Sequence, residues 1–145
     1  MARVKVSLPS KFSFTTNIPV RITDLNYGEH VGNDSVLSII HEARMQFLRY
    51  YGYTEMQFDG VSMIMSDVAI EFRNELFYGD IVIASVVAGE FSKVGFELFY
   101  KLEKEVEGKK VLVASAKTGM VCYDYDLKKI VAVPGDAKSK LFTTH

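Results

Sequence analysis

The sequence has no tryptophan, one cysteine and three prolines. A lone thiol, Cys122, excludes an internal disulfide and any cysteine-rich zinc site. It lies in the apolar run 118–123 and reads as a small buried hydrophobe. No apolar run reaches the ~18 residues that a membrane span needs. Charge of one sign is also missing. Lys and Arg number 17 against 18 Asp and Glu, for a net charge of −1, so no broad field draws the chain to nucleic acid or an anionic membrane. Residues 1–10 carry charge but no apolar stretch of the secretory kind, and a cytoplasmic protein is expected. Repeats, low-complexity stretches and linkers are absent too. With 145 residues, one domain over 1–145 is expected. Pro9 and Pro134 should mark the ends of the ordered core.

What is present is mostly strand. Ile18, Val20 and Ile22 alternate with Pro19, Arg21 and Thr23, which predicts a strand over 14–24. Pro19 cannot donate to a ladder, so that strand belongs at an edge. Residues 25–32 read as a loop through Asn26, Gly28 and Gly32. Residues 33–51 read as the one long helix, with Val36, Ile40, Ala43, Phe47 and Tyr50 in one apolar stripe, and Gly52 ends it. Asn33 or Asp34 is the expected N-cap. Alternation then predicts strands near 68–73, 94–103 and 111–123. The run 81–88 is apolar on both faces, as in a central strand covered on both sides. Short turns imply antiparallel neighbours. The fold class is therefore α+β, one helix lying on an antiparallel sheet. The doubly apolar strand and the remaining helix surface predict a partner copy, at least a dimer.

Polar chemistry is densest between Asp24 and Asp34. Asp24 follows Ile18, Val20 and Ile22 in parity, so a continuing strand turns it toward the core. A carboxylate there can act as nucleophile or general base, or it can simply bond loop backbone. His30 precedes the helix and can polarise a carbonyl or orient a water. Asn26 can hold a carbonyl or supply a turn. The helix start offers free N–H groups to a developing oxyanion, which points to acyl chemistry. Metal-ligand spacing, a nucleotide-binding glycine loop and a serine elbow are all absent.

The run Asp24…His30-Val31-Gly32-Asn33…His41-Glu42-Ala43-Arg44, with Tyr78-Gly79-Asp80 further on, resembles hotdog-fold acyl-CoA thioesterases of the 4-hydroxybenzoyl-CoA thioesterase type. The resemblance covers about residues 14–134. It implies a long helix wrapped by a five- to six-stranded antiparallel sheet, and a homodimer or dimer of dimers with sites at the interface. It also implies hydrolysis of an acyl-CoA thioester to free CoA and a carboxylic acid without an external cofactor or metal. Asp24 matches the family's catalytic aspartate, with Asp34 the fallback carboxylate, helped by His30 and Asn26. Tyr27, Val31, Asn33, Asp34, Met63 and Met65 are the implied substrate-binding residues. Lys93, Arg44 and Lys101 are candidates for the CoA phosphates only because they are basic. Two alternatives stay open: a hotdog enoyl-thioester hydratase, suggested by Asp24, Asn26 and His30, and a non-catalytic acyl-CoA-binding module.

Overall fold

In the computed structural model, which describes residues 3–142, the first strand stops at its proline. Strand β1 is Phe14–Pro19, shorter than the expected 14–24. Pro19 has no N–H for the ladder, and Ile22–Asp24 curl into a short 3₁₀ turn instead. As the proline predicts, β1 is an edge strand, antiparallel to β3 (Ile81–Gly89).

Helix α1 spans Asn33–Tyr50. Val36, Ile39, Ile40, Ala43, Phe47 and Leu48 are buried at three- and four-residue steps, which is the amphipathic pattern the sequence carries. Each large side chain fully buried there contributes roughly 1.5–3 kcal/mol. Tyr50, expected in the stripe, is exposed, and its ring packs on Phe14 and Tyr51. Gly52 takes a φ of +88°, which terminates the helix.

Strands β2 (Ser62–Phe72), β4 (Gly95–Val106) and β5 (Lys109–Asp124) complete an antiparallel sheet in the order β1-β3-β4-β5-β2, with the two-residue β6 (Lys129–Ile130) on β5. The β3–β4 and β4–β5 links are hairpins, as expected. The β2–β3 link is not. β2 pairs with β5, so residues 73–80 cross between distant strands. That link passes the start of α1, where the Val31 N–H donates to the Leu76 carbonyl at 2.9 Å and His30 bridges Phe77.

The doubly apolar strand has a different cover from the one expected. Val82, Ala84, Val86 and Ala88 are buried on one face of β3, and Ser85 and Val87 are buried on the other. Residues 6–13 of the same chain lie over that second face. The Val6 N–H donates to Glu71 at 3.1 Å, the Ser13 N–H to the Val86 carbonyl at 3.3 Å, and Lys101 Nζ sits 5.0 Å from the Phe12 ring. Pro9 therefore lies inside the ordered structure. Pro134 does too, because α2 (Gly135–Phe142) follows it and buries Ala137 and Leu141. Cys122 is buried, and that burial pushes its thiol up to about 11.

Candidate active site

The loop between β1 and α1 is built from the turn chemistry of its residues. Leu25 and Val31 form a bridge, and the Asn26 N–H donates to the His30 carbonyl at 2.9 Å. Within that small hairpin the Asn26 side-chain oxygen accepts the Gly28 N–H at 2.8 Å, an Asx turn. One end of the Asn26 amide thus shapes the loop, and its NH₂ is left to donate.

Gly32, not Asn33 or Asp34, is the N-cap of α1, and no side chain caps the helix. The cap carbonyl accepts from Val36 at 3.1 Å, while the first N–H groups stand at the positive end of the helix dipole. A side chain there would crowd Asp34. A Cβ on Gly32 would lie 2.6 Å from Asp34 Oδ1 and 3.7 Å from Asn26 Nδ2. Asn26, Asp34 and the open helix start therefore converge on one point. The His30 ring lies on the Gly28 side of the loop, 3.4 Å from a Cβ built on Gly28. The Asp34 carboxylate makes no hydrogen bond or ion pair among the described residues.

Asp24 is elsewhere. It is inward, as parity suggested, with only 4% of its surface exposed. The route differs, because the strand has already ended and the 3₁₀ turn sets its direction. Its Oδ2 accepts the Arg21 N–H at 2.8 Å and its Oδ1 accepts the Arg21 guanidinium at 3.2 Å. It lines a cleft of about 400 Å³ whose other wall is Ser38, His41 and Glu42 of α1. That wall lies in the second and third turns of the helix, away from its start. Within the single chain, Asp24 faces the middle of α1 and not its N-terminus.

Of the other expected residues, Val31 and Asn33 join His30 in a second cleft of about 250 Å³, closed by Phe72, Leu76 and Val113. Tyr27 is fully exposed, and Met63 is core, opposite Cys122 on β5. Met65 is partly exposed on β2; neither methionine nor Tyr27 lines either cleft. Arg44 is unavailable for phosphates. It is 4% exposed, donates from Nε to Glu55 at 2.7 Å and from Nη1 to Tyr100 at 3.2 Å. Burial alone would raise the Glu55 carboxyl, but hydrogen bonds from Arg44 and His41 outweigh it and hold the group below its ordinary value.

The sequence reading passed over Ser38 and named His41 and Glu42 only as part of the helix motif, although Asp34, Ser38 and His41 recur at helical steps of four and three along the polar face. It also passed over Leu76 and Val113, which are ordinary core residues until the crossing link brings them to the helix start.

One long helix held by an antiparallel sheet, with a polar loop at its open N-terminus, defines the hotdog class of thioester enzymes. The chain belongs to the thioesterase-like superfamily, whose model matches residues 20–141. By class it is a thioester hydrolase. No curated protein matches its sequence. Among solved structures it is similar to a 4-hydroxybenzoyl-CoA thioesterase variant complexed with 4-hydroxybenzoyl-CoA, at 15% identity and TM-score 0.80 over 88% of this chain and 97% of that one. A 1,4-dihydroxy-2-naphthoyl-CoA thioesterase from Synechocystis gives 19% identity and TM-score 0.79, covering 91% and 98%. A probable thioesterase from Escherichia coli, YbaW, gives 24% and 0.74, covering 90% and 97%.

Proposed function

We propose that the chain hydrolyses an acyl-CoA thioester at the start of α1. The observation that carries this is the convergence of Asn26, Asp34 and an uncapped helix N-terminus over Gly32. The substrate carbonyl oxygen accepts from the first helix N–H groups and the Asn26 NH₂. Asp34 takes a proton from water, whose oxygen bonds to the carbonyl carbon. The carbon–sulfur bond then breaks, the sulfur leaves with the electron pair and takes up a proton, and the products are CoA and the free acid. His30 orients the water. Asp24, the carboxylate favoured by sequence, holds the entrance of the loop through Arg21. Oxyanion donors are worth roughly 3 kcal/mol each in acyl transfer, and a positioned general base gives about 10²–10⁴-fold. No external cofactor enters this reaction.

The proposed assembly is a homodimer or a dimer of dimers. Ile64, Met65, Val68 and Phe72 are exposed on β2, and the outer edge of β2 pairs with no strand among the described residues, which suits a second copy. A cytoplasmic location is proposed with the acyl-CoA substrate. No helix among the described residues is long and apolar enough to cross a membrane.

Thiol release from a panel of acyl-CoAs, read with a thiol reagent, tests the activity. Crotonyl-CoA in the panel separates hydrolysis from hydration, since hydration removes enoyl absorbance without releasing thiol. If no member releases thiol, the proposed reaction is wrong. If ligands raise Tm with no turnover, a binding module takes its place.

A further inference from the structure

The loop that carries the proposed site is held at both ends by one segment. Where the chain leaves β1, the Val20 N–H donates to the Asp80 carbonyl at 2.9 Å. Where it enters α1, His30 bridges Phe77 and the Val31 N–H donates to the Leu76 carbonyl at 2.9 Å. Among the described residues, the hydrogen bonds of residues 21–30 otherwise stay within the loop. Residues 76–80 of the crossing link are thus a common anchor for Asp24, Asn26, His30 and the helix start.

That anchor is a turn. The Asp80 N–H donates to the Phe77 carbonyl at 3.1 Å, Gly79 takes a φ of +93°, and Asp80 Oδ2 accepts the Phe77 N–H at 2.8 Å. Lys104 of β4 braces it. Its Nζ donates to the Glu75 carbonyl at 2.6 Å and to Asp80 Oδ2 at 3.1 Å, and lies 5.1 Å from the centre of the Phe77 ring. Phe96, Leu98, Tyr100 and Leu102 are buried at alternate positions of β4, and Lys104 is next in that series. Its side chain is only 12% exposed. A cation at a core-facing position costs stability unless it is paired, and each of these partners belongs to the link.

Resting on the hydrolysis proposed above, we infer that Lys104 and Asp80 are positioning residues: their ion pair fixes the turn at 77–80, and the turn fixes both ends of the site loop. Neither side chain lines either cleft described above. The pair acts through the backbone. Without the ammonium, the Glu75 carbonyl and the Asp80 carboxylate lose their donor, and the loop ends move with the turn. Because the clamp spans the loop from Val20 to Val31, it acts on Asp24 and on the helix start alike.

Two readouts test this. Thiol release is measured on acetyl-, octanoyl-, palmitoyl- and benzoyl-CoA, and kcat and KM are taken on the one that the parent cleaves fastest. Lys104→Met keeps the apolar stem and should lower kcat about tenfold, with KM within about threefold. Lys104→Arg, which can donate to both acceptors, should return kcat to within about threefold of the parent. Asp80→Asn still accepts the Phe77 N–H but loses the charge. It should lower kcat as Lys104→Met does, and the double variant should lose no more than either alone. Lys117→Met breaks a 3.2 Å pair with Glu97 across β4 and β5 and should leave kcat unchanged. The second readout is amide exchange by NMR in the parent and in Lys104→Met. The Val20, Phe77 and Val31 amides should exchange about tenfold faster or more, and those of Ile40 and Ala43 inside α1 at the parent's rate. Equal loss of kcat in Lys104→Met and Lys117→Met, additive loss in the double variant, or unchanged exchange at Val20 and Val31 overturns the clamp. So does faster exchange there with kcat unmoved. If the parent releases no thiol, the hydrolysis is overturned and exchange alone decides the clamp.

Discussion

Two aspartates ten positions apart bracket the loop before α1, and the fold treats them in opposite ways. Asp24 is buried, with both oxygens accepting from Arg21. Asp34 is exposed in the first turn of the helix and leans over Gly32. The first arrangement fixes a backbone turn. The second leaves lone pairs open beside a helix dipole and a donor amide. Proximity in sequence and equal chemistry do not give equal roles; what each carboxylate already accepts decides what it can still do. A carboxylate–arginine pair recurs at Glu55 and Arg44, where the guanidinium is the buried partner.

The sharpest way to break the comparison is Asp34→Asn. We expect kcat for thiol release to fall about 10²-fold or more, with Tm changed by less than ~2 °C because the side chain is exposed. Asp24→Asn should do the reverse. It removes a buried acceptor's charge while the Arg21 N–H still needs a partner, at a cost of roughly 1–3 kcal/mol. Thermal unfolding should report this as a Tm lower by ~2–10 °C, with kcat within about threefold of the parent. If Asp24→Asn abolishes turnover at an unchanged Tm, the two aspartates have been given each other's roles.

Gly32→Ala probes the ground between them. The new methyl meets Asp34 Oδ1 at 2.6 Å and must push it aside. Asp34 is a flexible surface side chain, so the helix survives. A carboxylate displaced by about an ångström should lose on the order of tenfold to a hundredfold in kcat, while helix content by circular dichroism stays unchanged.

Much of this was legible in the sequence. The α1 stripe, the edge position of β1 and the polar density of residues 24–34 follow from period, a missing N–H and composition. Four things were not. Parity predicted an inward Asp24 through a continuing strand, but Pro19 ended the strand and the inward direction came from a 3₁₀ turn. The cover over β3 was assigned to a partner because residues 6–13 have no periodicity to show that they lie across a sheet. The second cleft depends on β2 pairing with β5, so Leu76 and Val113 meet the helix start only through a crossing that local sequence does not encode. Short α2 also escaped notice, since two buried positions in eight residues make a weak stripe.

The comparison extends to Glu55, the second arginine-held acid. Its carboxyl lies below its ordinary 4.5 in the folded chain, despite burial, because Arg44 and His41 donate to it. A depressed folded value means that its contribution to stability is complete above the unfolded value and is lost as pH falls through the folded one. Unfolding by urea between pH 6 and pH 3 should therefore show a stability loss in the parent that is reduced in Glu55→Gln, which cannot titrate. Near neutral pH the same variant should be less stable, since Arg44 keeps its buried guanidinium and loses the charge opposite it. Asp24 and Glu55 differ here in a way that can be read directly. Arg21 is 70% exposed at its side chain against 5% for Arg44, so solvent replaces the first guanidinium and nothing replaces the second. Arg21→Ala should cost about 1 kcal/mol or less, with the Arg21 backbone N–H still holding Asp24. Should Arg21→Ala and Glu55→Gln destabilise equally at pH 7, burial of the cation is not what separates the two pairs.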